Sequence, residues 1–449
     1  MATPGRDAVS SSTRGSFLER RFRLHESGTT VRKELLAGLT TFLALAYIVP
    51  TNSGILSDAG MPFEAVVFAT CIGGFFATLL MGLYANYPFA LAPAMGPNAY
   101  FAYSVVIGMG VPWQTALGAV FLSGVLFLLL SVSTIREQII NSVPLPLKHA
   151  IAAGIGLFLA FIGLQNAGLV VASPATFVTL GDFGERSTLL ACIGILITSV
   201  LVVKRVRGAI LLGIVVTALV GIPMGVTSVP DRIVSLPDFS AWTPVLGQLD
   251  IAAALSLGLG TVILAFFFVD LFDTAGTFIG LSDKMGILDK QGNLPRVGRA
   301  LVSDSVGTIA GSVFGTSTVT TYIESSAGIA EGGRTGLTAV TVALLFLVAL
   351  FFTPVVAAIP GAATAPALIL VGAMMASSMA KIDWDDPAIA IPAFIAMAAM
   401  PLTFSIANGI FLSLVAYSFI KVVTGKAREA SWIVHALAVL FVVKFIIGV

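Results

Sequence analysis

Apolar residues occur in long runs along most of the chain, and short polar stretches rich in proline and glycine separate the runs. A run of roughly 17–25 apolar residues matches the thickness of a bilayer's hydrocarbon core when it folds as a helix. The pattern therefore predicts an all-α polytopic membrane protein. The predicted spans cover residues 35–56, 62–84, 113–132, 147–165, 187–203, 208–225, 255–280, 297–314, 335–357, 361–380, 387–403 and 405–422, with a last apolar run at 431–447.

Two further segments, 89–108 and 314–332, are too short and too interrupted to cross a membrane as single helices. In the first, Pro93 and Pro97 lack backbone N–H groups, and residues before proline favour extended conformations. In the second, the β-branched run TSTVTTYI favours a strand. Each segment is predicted to be a short strand followed by a half-helix. Irregular backbone at membrane depth persists only where protein or a water-filled cavity satisfies its polar groups, so both segments should lie inside the protein.

Basic residues precede the first span and recur in alternate loops, and the positive-inside rule places these loops in the cytoplasm. The loops share one side only if each interrupted segment counts as one crossing. This gives fourteen segments up to residue 422 and a cytoplasmic N-terminus in the cell (inner) membrane. Seven segments per half make two inverted repeats, with the interrupted segments third and tenth, and such pairs point to a transporter's binding site. The run 431–447 is left open as an extra span or an interfacial helix.

The composition agrees with a membrane protein and indicates no other chemistry. The 449 residues are 57% hydrophobic and 10% charged, against about 25% charged in soluble domains. Cys71 and Cys192 lie in apolar runs and are predicted to be core residues, and the histidines are scattered, so neither a metal nor a cofactor is expected. The first 30 residues are Arg-rich and lack a signal-peptide core, which predicts a soluble leader. The bilayer is an expected partner, and nucleic acid is not.

Three acidic side chains lie inside apolar segments, where a charge costs at least ~2.5–3.5 kcal/mol. Asp270 and Asp273 share one face of the eighth segment with Thr277, and Glu324 lies in the second interrupted segment. With Asn98 from the first interrupted segment, they are predicted to form a polar pocket near the middle of the membrane. A structural role stays open for each acid taken singly, and a turn role for Asn98.

Other interpretations of the acids are weaker. Asp304 and Glu331 are interpreted as helix-end or loop charges. Asp270 and Asp273 lie on one helix and lack a GxGD-type motif, whereas an intramembrane protease brings its aspartates from two helices, so no enzyme is expected. An anion transporter of the same architecture is an alternative, but three acids would repel its substrate.

Three stretches resemble one known family: FVDLFDTAGT at 268–277, GTSTVTTYIESSAGIAEGGRTG at 315–336 and LAPAMGPNAYF at 91–101. They are similar to the nucleobase–cation symporter-2 family of xanthine and uracil permeases, and within it to the AzgA-like adenine–guanine–hypoxanthine permeases. The resemblance covers roughly residues 17–447 and implies a core domain of segments 1–4 and 8–11 and a gate domain of the other segments. The implied divisions are a leader at 1–30, core parts at 31–135 and 251–358, and gate parts at 136–250 and 359–449.

The resemblance also implies site residues. The family's binding acids fall on Asp273 or Asp270 and on Glu324, and Asn98 matches the polar residue of the third segment. The xanthine and uric-acid branch has a Gln/Asn pair where this chain has Glu324 and Ser325, which favours adenine, guanine or hypoxanthine. The predicted substrate-binding residues are Asp273, Glu324, Asn98, Asp270, Thr277 and Ser325.

The expected activity is the import of purine nucleobases with protons, with the core moving against the gate. A carboxylate can accept the N–H groups on a purine's edge, and such charge-assisted bonds are about twice as strong as neutral ones. A carboxyl group in a low-dielectric site can also bind and release a proton near neutral pH. Asp270 is preferred as the proton site because Asp273 lies nearer the polar run DTAGT, and Asp273 and Glu324 are the other candidates. A uracil or xanthine permease is the main alternative; the preferred purine, the coupling ion (H⁺ or Na⁺) and a homodimer are left open.

Overall fold

The computed structural model describes residues 17–132, 144–256, 259–287 and 296–447. In its first half, apolar helices alternate with short connections. The hydroxyl of Thr30 accepts a hydrogen bond from the Lys33 N–H and caps the first long helix. The helices are α1 (Phe17–Phe22), α2 (Val31–Leu45), α3 (Ile48–Asp58), α4 (Phe63–Leu80), α5 (Met95–Ala99), α6 (Trp113–Val132), α7 (Leu145–Asn166), α8 (Arg186–Val203) and α9 (Ala209–Gly221).

The second half repeats this alternation. Side chains of Thr335, Asp386 and Ser405 accept backbone N–H groups at the starts of three of its helices, which satisfies donors that have no partner within the helix. The helices are α10 (Ile251–Ser256), α11 (Gly260–Met285), α12 (Val297–Phe314), α13 (Ser325–Ala330), α14 (Gly336–Ala349), α15 (Thr353–Ala357), α16 (Gly361–Ala376), α17 (Pro387–Leu402), α18 (Ile406–Val423) and α19 (Trp432–Ile447).

The helices follow the predicted segments closely. Among the described residues, eight helical stretches are long and apolar enough to cross a membrane, and shorter apolar helices such as Ala209–Gly221 and Pro387–Leu402 accompany them. In the eighth predicted segment, α10 ends at Ser256 and α11 begins at Gly260, and residues 257–258 lie outside the described residues. The hairpin of β2 (Val170–Ser173) and β3 (Phe177–Leu180), which connects α7 to α8, was not predicted, because its strands are largely exposed and follow no strong hydropathy pattern.

Both interrupted segments are strand-plus-helix, as predicted. Strand β1 (Leu91–Pro93) pairs antiparallel with β4 (Val319–Thr321), with Leu91 opposite Thr321. Beyond the strands, the Ala94 N–H donates to the Thr318 carbonyl at 2.8 Å, and a matching bond joins Tyr322 to Ala90 at 2.9 Å. The two segments therefore satisfy each other's backbone groups inside the protein, where lipid could not.

The helices pack in two groups. One group contains α2–α4, α6, α11, α12, α14 and the antiparallel strands β1 and β4. The other group contains α7–α9 and α16–α19. Fewer contacts join the groups, among them α5 with α7 and α3 with α16. This is the predicted core-and-gate architecture; the residue limits of the four domain parts stay predictions.

Candidate substrate-binding site

A cavity of about 100 Å³ lies between the two groups of helices, where both interrupted segments and α11 face α7 and α16. The core contributes all of its polar side chains, and the gate contributes Ile155, Val371 and Met375. The polar side chains are Tyr47, Asp273, Thr277, Thr320, Thr321, Tyr322 and Glu324. The cavity thus has one polar wall and one apolar wall.

Glu324 immediately precedes the half-helix α13 and is half-buried. The hydroxyl of Tyr47, which lies at the break between α2 and α3, donates to its Oε1 at 2.6 Å. Neighbouring Tyr322 is held by the bond from its hydroxyl to the Pro93 carbonyl, at 2.5 Å. The Tyr47 hydroxyl therefore fixes the orientation of the Glu324 carboxylate at the cavity.

Asp273 and Thr277 lie one turn apart on α11, and both line the cavity. Among the described residues, none donates a hydrogen bond to the Asp273 carboxylate. The structure therefore brings three of the predicted residues, Asp273, Thr277 and Glu324, to one place.

Asp270 does not line the cavity, although it lies only one turn before Asp273. It is 1% exposed, and the hydroxyl of Thr308 on α12 donates to its Oδ2 at 3.1 Å. Its Oδ1 has no hydrogen-bond partner among the described residues. Positions three residues apart differ by about 60° around a helix with 3.6 residues per turn. This rotation turns Asp270 towards α12 while Asp273 faces the cavity.

Asp304 is a buried acid that sequence reasoning misplaced as a helix-end or loop charge. It lies within α12 and is fully buried. Thr274 donates to its Oδ2 at 2.7 Å and Thr321 to its Oδ1 at 2.9 Å. The position of Asp304 inside the predicted span 297–314 was the available signal. Glu331, in contrast, ends α13 and pairs with Arg207, as its interpretation required.

Asn98 and Ser325 also lie outside the cavity. The amide of Asn98 donates to Asn52 Oδ1 at 2.5 Å, and its carbonyl oxygen accepts from the Ser317 hydroxyl. Ser325 Oγ accepts the Ala90 N–H at 2.9 Å. Both side chains join segments of the core and have no free group directed at the cavity.

Comparisons with known proteins agree with this architecture. A model of the Permease family, Xan_ur_permease, matches residues 32–412. The chain is 46% identical to the adenine permease AdeP of Escherichia coli, over 96% of each chain. It is 44% identical to the guanine/hypoxanthine permease PbuO of Bacillus subtilis, over 95% of this chain and 99% of the relative.

A solved structure shares the fold at low sequence identity. The transmembrane domain of the cyanobacterial bicarbonate transporter BicA superposes with a TM-score of 0.61 and 18% identity, covering 84% of this chain and 97% of that domain. The fold and the comparisons define a multi-pass membrane permease. The chain belongs to the xanthine/uracil permease family, the nucleobase–cation symporter-2 family that its motifs resemble.

Proposed function

We propose that the protein is a secondary active transporter that imports adenine, guanine or hypoxanthine together with protons. The observation that carries the proposal is the pair of carboxylates, Asp273 and Glu324, on one wall of a cavity between two groups of helices. The names of the adenine and the guanine/hypoxanthine permeases to which the chain is similar support this substrate class.

The two walls of the cavity suit a purine. Glu324 accepts N–H groups on the ring edges, Asp273, protonated while substrate is bound, offers an O–H donor and a carbonyl acceptor, and Thr277 supplies a hydroxyl that can donate or accept. The apolar side chains of Ile155, Val371 and Met375 cover the ring faces. Because the polar groups come from the core and the apolar cover from the gate, the substrate is oriented by the core and enclosed by the gate.

Alternating access follows from this division. The core parts, 31–135 and 251–358, move against the gate parts, 136–250 and 359–449, and carry the cavity from one side of the membrane to the other. The protein lies in the cell (inner) membrane with its N-terminus in the cytoplasm, and the distribution of basic residues among the loops supports that orientation.

Asp273 carries the coupling proton in this proposal, rather than Asp270, which sequence reasoning preferred. The Asp273 carboxylate faces the cavity, whereas Asp270 is enclosed behind it and bonded to Thr308. Asp273→Asn should retain exchange of substrate across the membrane and lose accumulation against a gradient in proteoliposomes. If Asp270→Asn loses accumulation and Asp273→Asn retains it, Asp270 is the coupling group instead.

Competition between nucleobases tests the substrate class. Radiolabelled adenine uptake is measured with unlabelled hypoxanthine, guanine, xanthine or uracil in excess, with and without a proton gradient. Competition by hypoxanthine or guanine, and uptake that rises as external pH falls, support the proposal. Competition by xanthine or uracil alone would assign the protein to the other branch of the family, and uptake that ignores the proton gradient would exclude proton symport.

A further inference from the structure

A second cavity, of about 400 Å³, lies where α1 meets Tyr84 and Asn86, which follow α4, and the start of α12. This volume is within the ~300–1,000 Å³ range of ligand pockets. Five of the seven lining residues are arginines, and no acidic residue in the described part of the chain lines it. The lining residues are Arg20, Arg21, Arg23, Tyr84, Asn86, Arg296 and Arg299, which we call the arginine pocket.

Aromatic rings and a backbone carbonyl position several of these arginines. The Arg296 guanidinium lies 4.8 Å from the centre of the Tyr87 ring, and that of Arg299 lies 5.7 Å from the centre of the Tyr84 ring. Arg21 donates to the Leu83 carbonyl. A guanidinium on an aromatic face keeps its N–H edge available for an anion.

Few acidic side chains in the described part of the chain pair with the arginines of the pocket. In the ranges that the structure describes, the one ion pair formed by these arginines joins Arg23 to Glu26 at 3.9 Å, and both side chains are about three-quarters exposed. Such a pair contributes little. By contrast, Arg207 pairs directly with Glu331.

Helix α12 adds to the positive field. Arg296 is the residue at its N-terminal cap, so the unpaired N–H groups and the positive end of the helix dipole lie at the arginine pocket. Asn86, a neutral lining residue, accepts the Gly336 N–H at 2.8 Å and donates to the Phe22 carbonyl at 3.3 Å, which fixes α1 against the core. The arginine pocket is thus a concave site with several donors, and its lining among the described residues includes no acid.

We propose that the arginine pocket binds an anion carrying phosphate groups with at least two negative charges. The planar fork of a guanidinium matches phosphate oxygens bidentately. The site faces the side that the proposed orientation assigns to the cytoplasm, so the phosphate belongs either to an anionic lipid headgroup or to a free diphosphate. Because α1 and the core both contribute arginines, the bound anion holds α1 against the core.

Binding is tested on the full chain purified in neutral detergent, with two probes. Inorganic pyrophosphate is titrated by calorimetry at fixed ionic strength, and phosphatidylglycerol is compared with phosphatidylcholine by native mass spectrometry. The variant Arg296→Gln/Arg299→Gln removes two positive charges from the arginine pocket. The matched control, Lys204→Gln/Lys426→Gln, removes two exposed charges outside it. Thermal unfolding in detergent verifies that each protein is folded, and Arg20→Gln/Arg23→Gln replaces the first variant if that variant fails to fold.

We expect the pocket variant to lose affinity for one probe by about tenfold or more, since each hydrogen bond to a charged group contributes substantially, and the control to retain it. A selective loss of pyrophosphate binding supports a free diphosphate, and a selective loss of phosphatidylglycerol supports a lipid headgroup. Equal binding by parent and pocket variant, or an equal loss in the control, would overturn the proposal and leave the arginines as topological charge only.

Discussion

The two interrupted segments share a backbone plan and differ in chemistry. Each is a three-residue strand followed by a half-helix that starts at the cavity, and the two strands pair with one another. The first segment lines the cavity with Ala94, Met95, Gly96 and Pro97, and the second with Thr320, Thr321, Tyr322, Ile323 and Glu324.

This difference separates packing from recognition. Gly96 allows the first segment to lie close to Ile155 of the gate, while Asn98 turns its amide into the core. Glu324 of the second segment directs a carboxylate at the cavity. The two interrupted segments therefore share a backbone plan but not their side chains: the first lies close to the gate, and the second supplies a carboxylate to the cavity.

The largest expected effect is a loss of purine affinity when Glu324, in the second interrupted segment, loses its charge. Glu324→Gln keeps the shape of the side chain and removes the charge that, in the proposed function, strengthens its hydrogen bonds to a bound purine. Hydrogen bonds to charged groups contribute ~1.5–3 kcal/mol, so purine affinity should fall by about tenfold or more. Equilibrium binding of radiolabelled adenine to the purified protein measures this.

Glu331→Gln is the matched control for Glu324→Gln, because Glu331 lies at the opposite end of α13 and pairs with Arg207. It should leave adenine affinity unchanged. An unaltered affinity in a folded Glu324→Gln protein would remove Glu324 from the binding site.

Most of the fold could be predicted from the sequence, because the apolar runs mark the helices and the residues between the runs mark their ends. The helix-breaking prolines of 89–108 and the β-branched run of 314–332 were sufficient to predict strand-plus-helix in both. The exposed hairpin of Val170–Ser173 and Phe177–Leu180 was not predicted, since its sequence shows neither a long apolar run nor an interrupted one.

The site was harder to predict, because it depends on rotations of less than one turn. The spacing of Asp270 and Asp273 predicts that both lie on one helix face. In the structure, however, Asp270 contacts Thr308 and Asp273 lines the cavity. Asn98 is polar and lies in an interrupted segment, but only the three-dimensional structure shows that Asn52 and Ser317 occupy its amide. A residue's depth in the membrane can be read from sequence, whereas its partner cannot.

The packing side of the comparison is tested at Gly96. A Cβ built there would lie 2.7 Å from Ile155 Cγ2, across the boundary between core and gate. Overpacking typically costs ~1–3 kcal/mol, so Gly96→Ala should lower the uptake rate several-fold by destabilising this arrangement of the two groups. Initial uptake rates at equal protein abundance measure the effect.

Rescue decides whether that loss arises at the boundary. Ile155→Ala removes the atom in the way but also part of the proposed apolar cover of the substrate. The double variant is therefore compared with Ile155→Ala alone, and Gly96→Ala should slow uptake less in that background than in the parent. Gly54→Ala is the control, since a Cβ there meets nothing within 4 Å. An equal slowing in both backgrounds would mean that Gly96 acts through its own backbone.

Asn98→Ala should separate stability from specificity. It leaves Asn52 Oδ1 without its donor and the Ser317 hydroxyl without its acceptor, and unpaired buried groups cost ~1–3 kcal/mol each. We expect a lower unfolding temperature and less protein in the membrane, with the ranking of competing purines unchanged. Asn98→Ala combined with Asn52→Ala should cost less than the sum of the two, because they share one bond. An altered ranking at normal abundance would restore Asn98 to the substrate site.

The smallest expected effect on binding lies at Ser325, which follows Glu324 along the chain but does not line the cavity. Ser325 Oγ accepts the Ala90 N–H at 2.9 Å and so joins the two interrupted segments. Ser325→Ala removes this bond and leaves the buried Ala90 N–H unpaired, which should lower stability by ~1–3 kcal/mol and leave adenine affinity within twofold of the parent. The control is Ser326→Ala, because the Ser326 hydroxyl makes no hydrogen bond in the described part of the chain. Thermal unfolding and adenine binding are measured for both variants. If Ser325→Ala lowers adenine affinity by more than twofold while Ser326→Ala does not, the bond between the two interrupted segments also affects substrate binding.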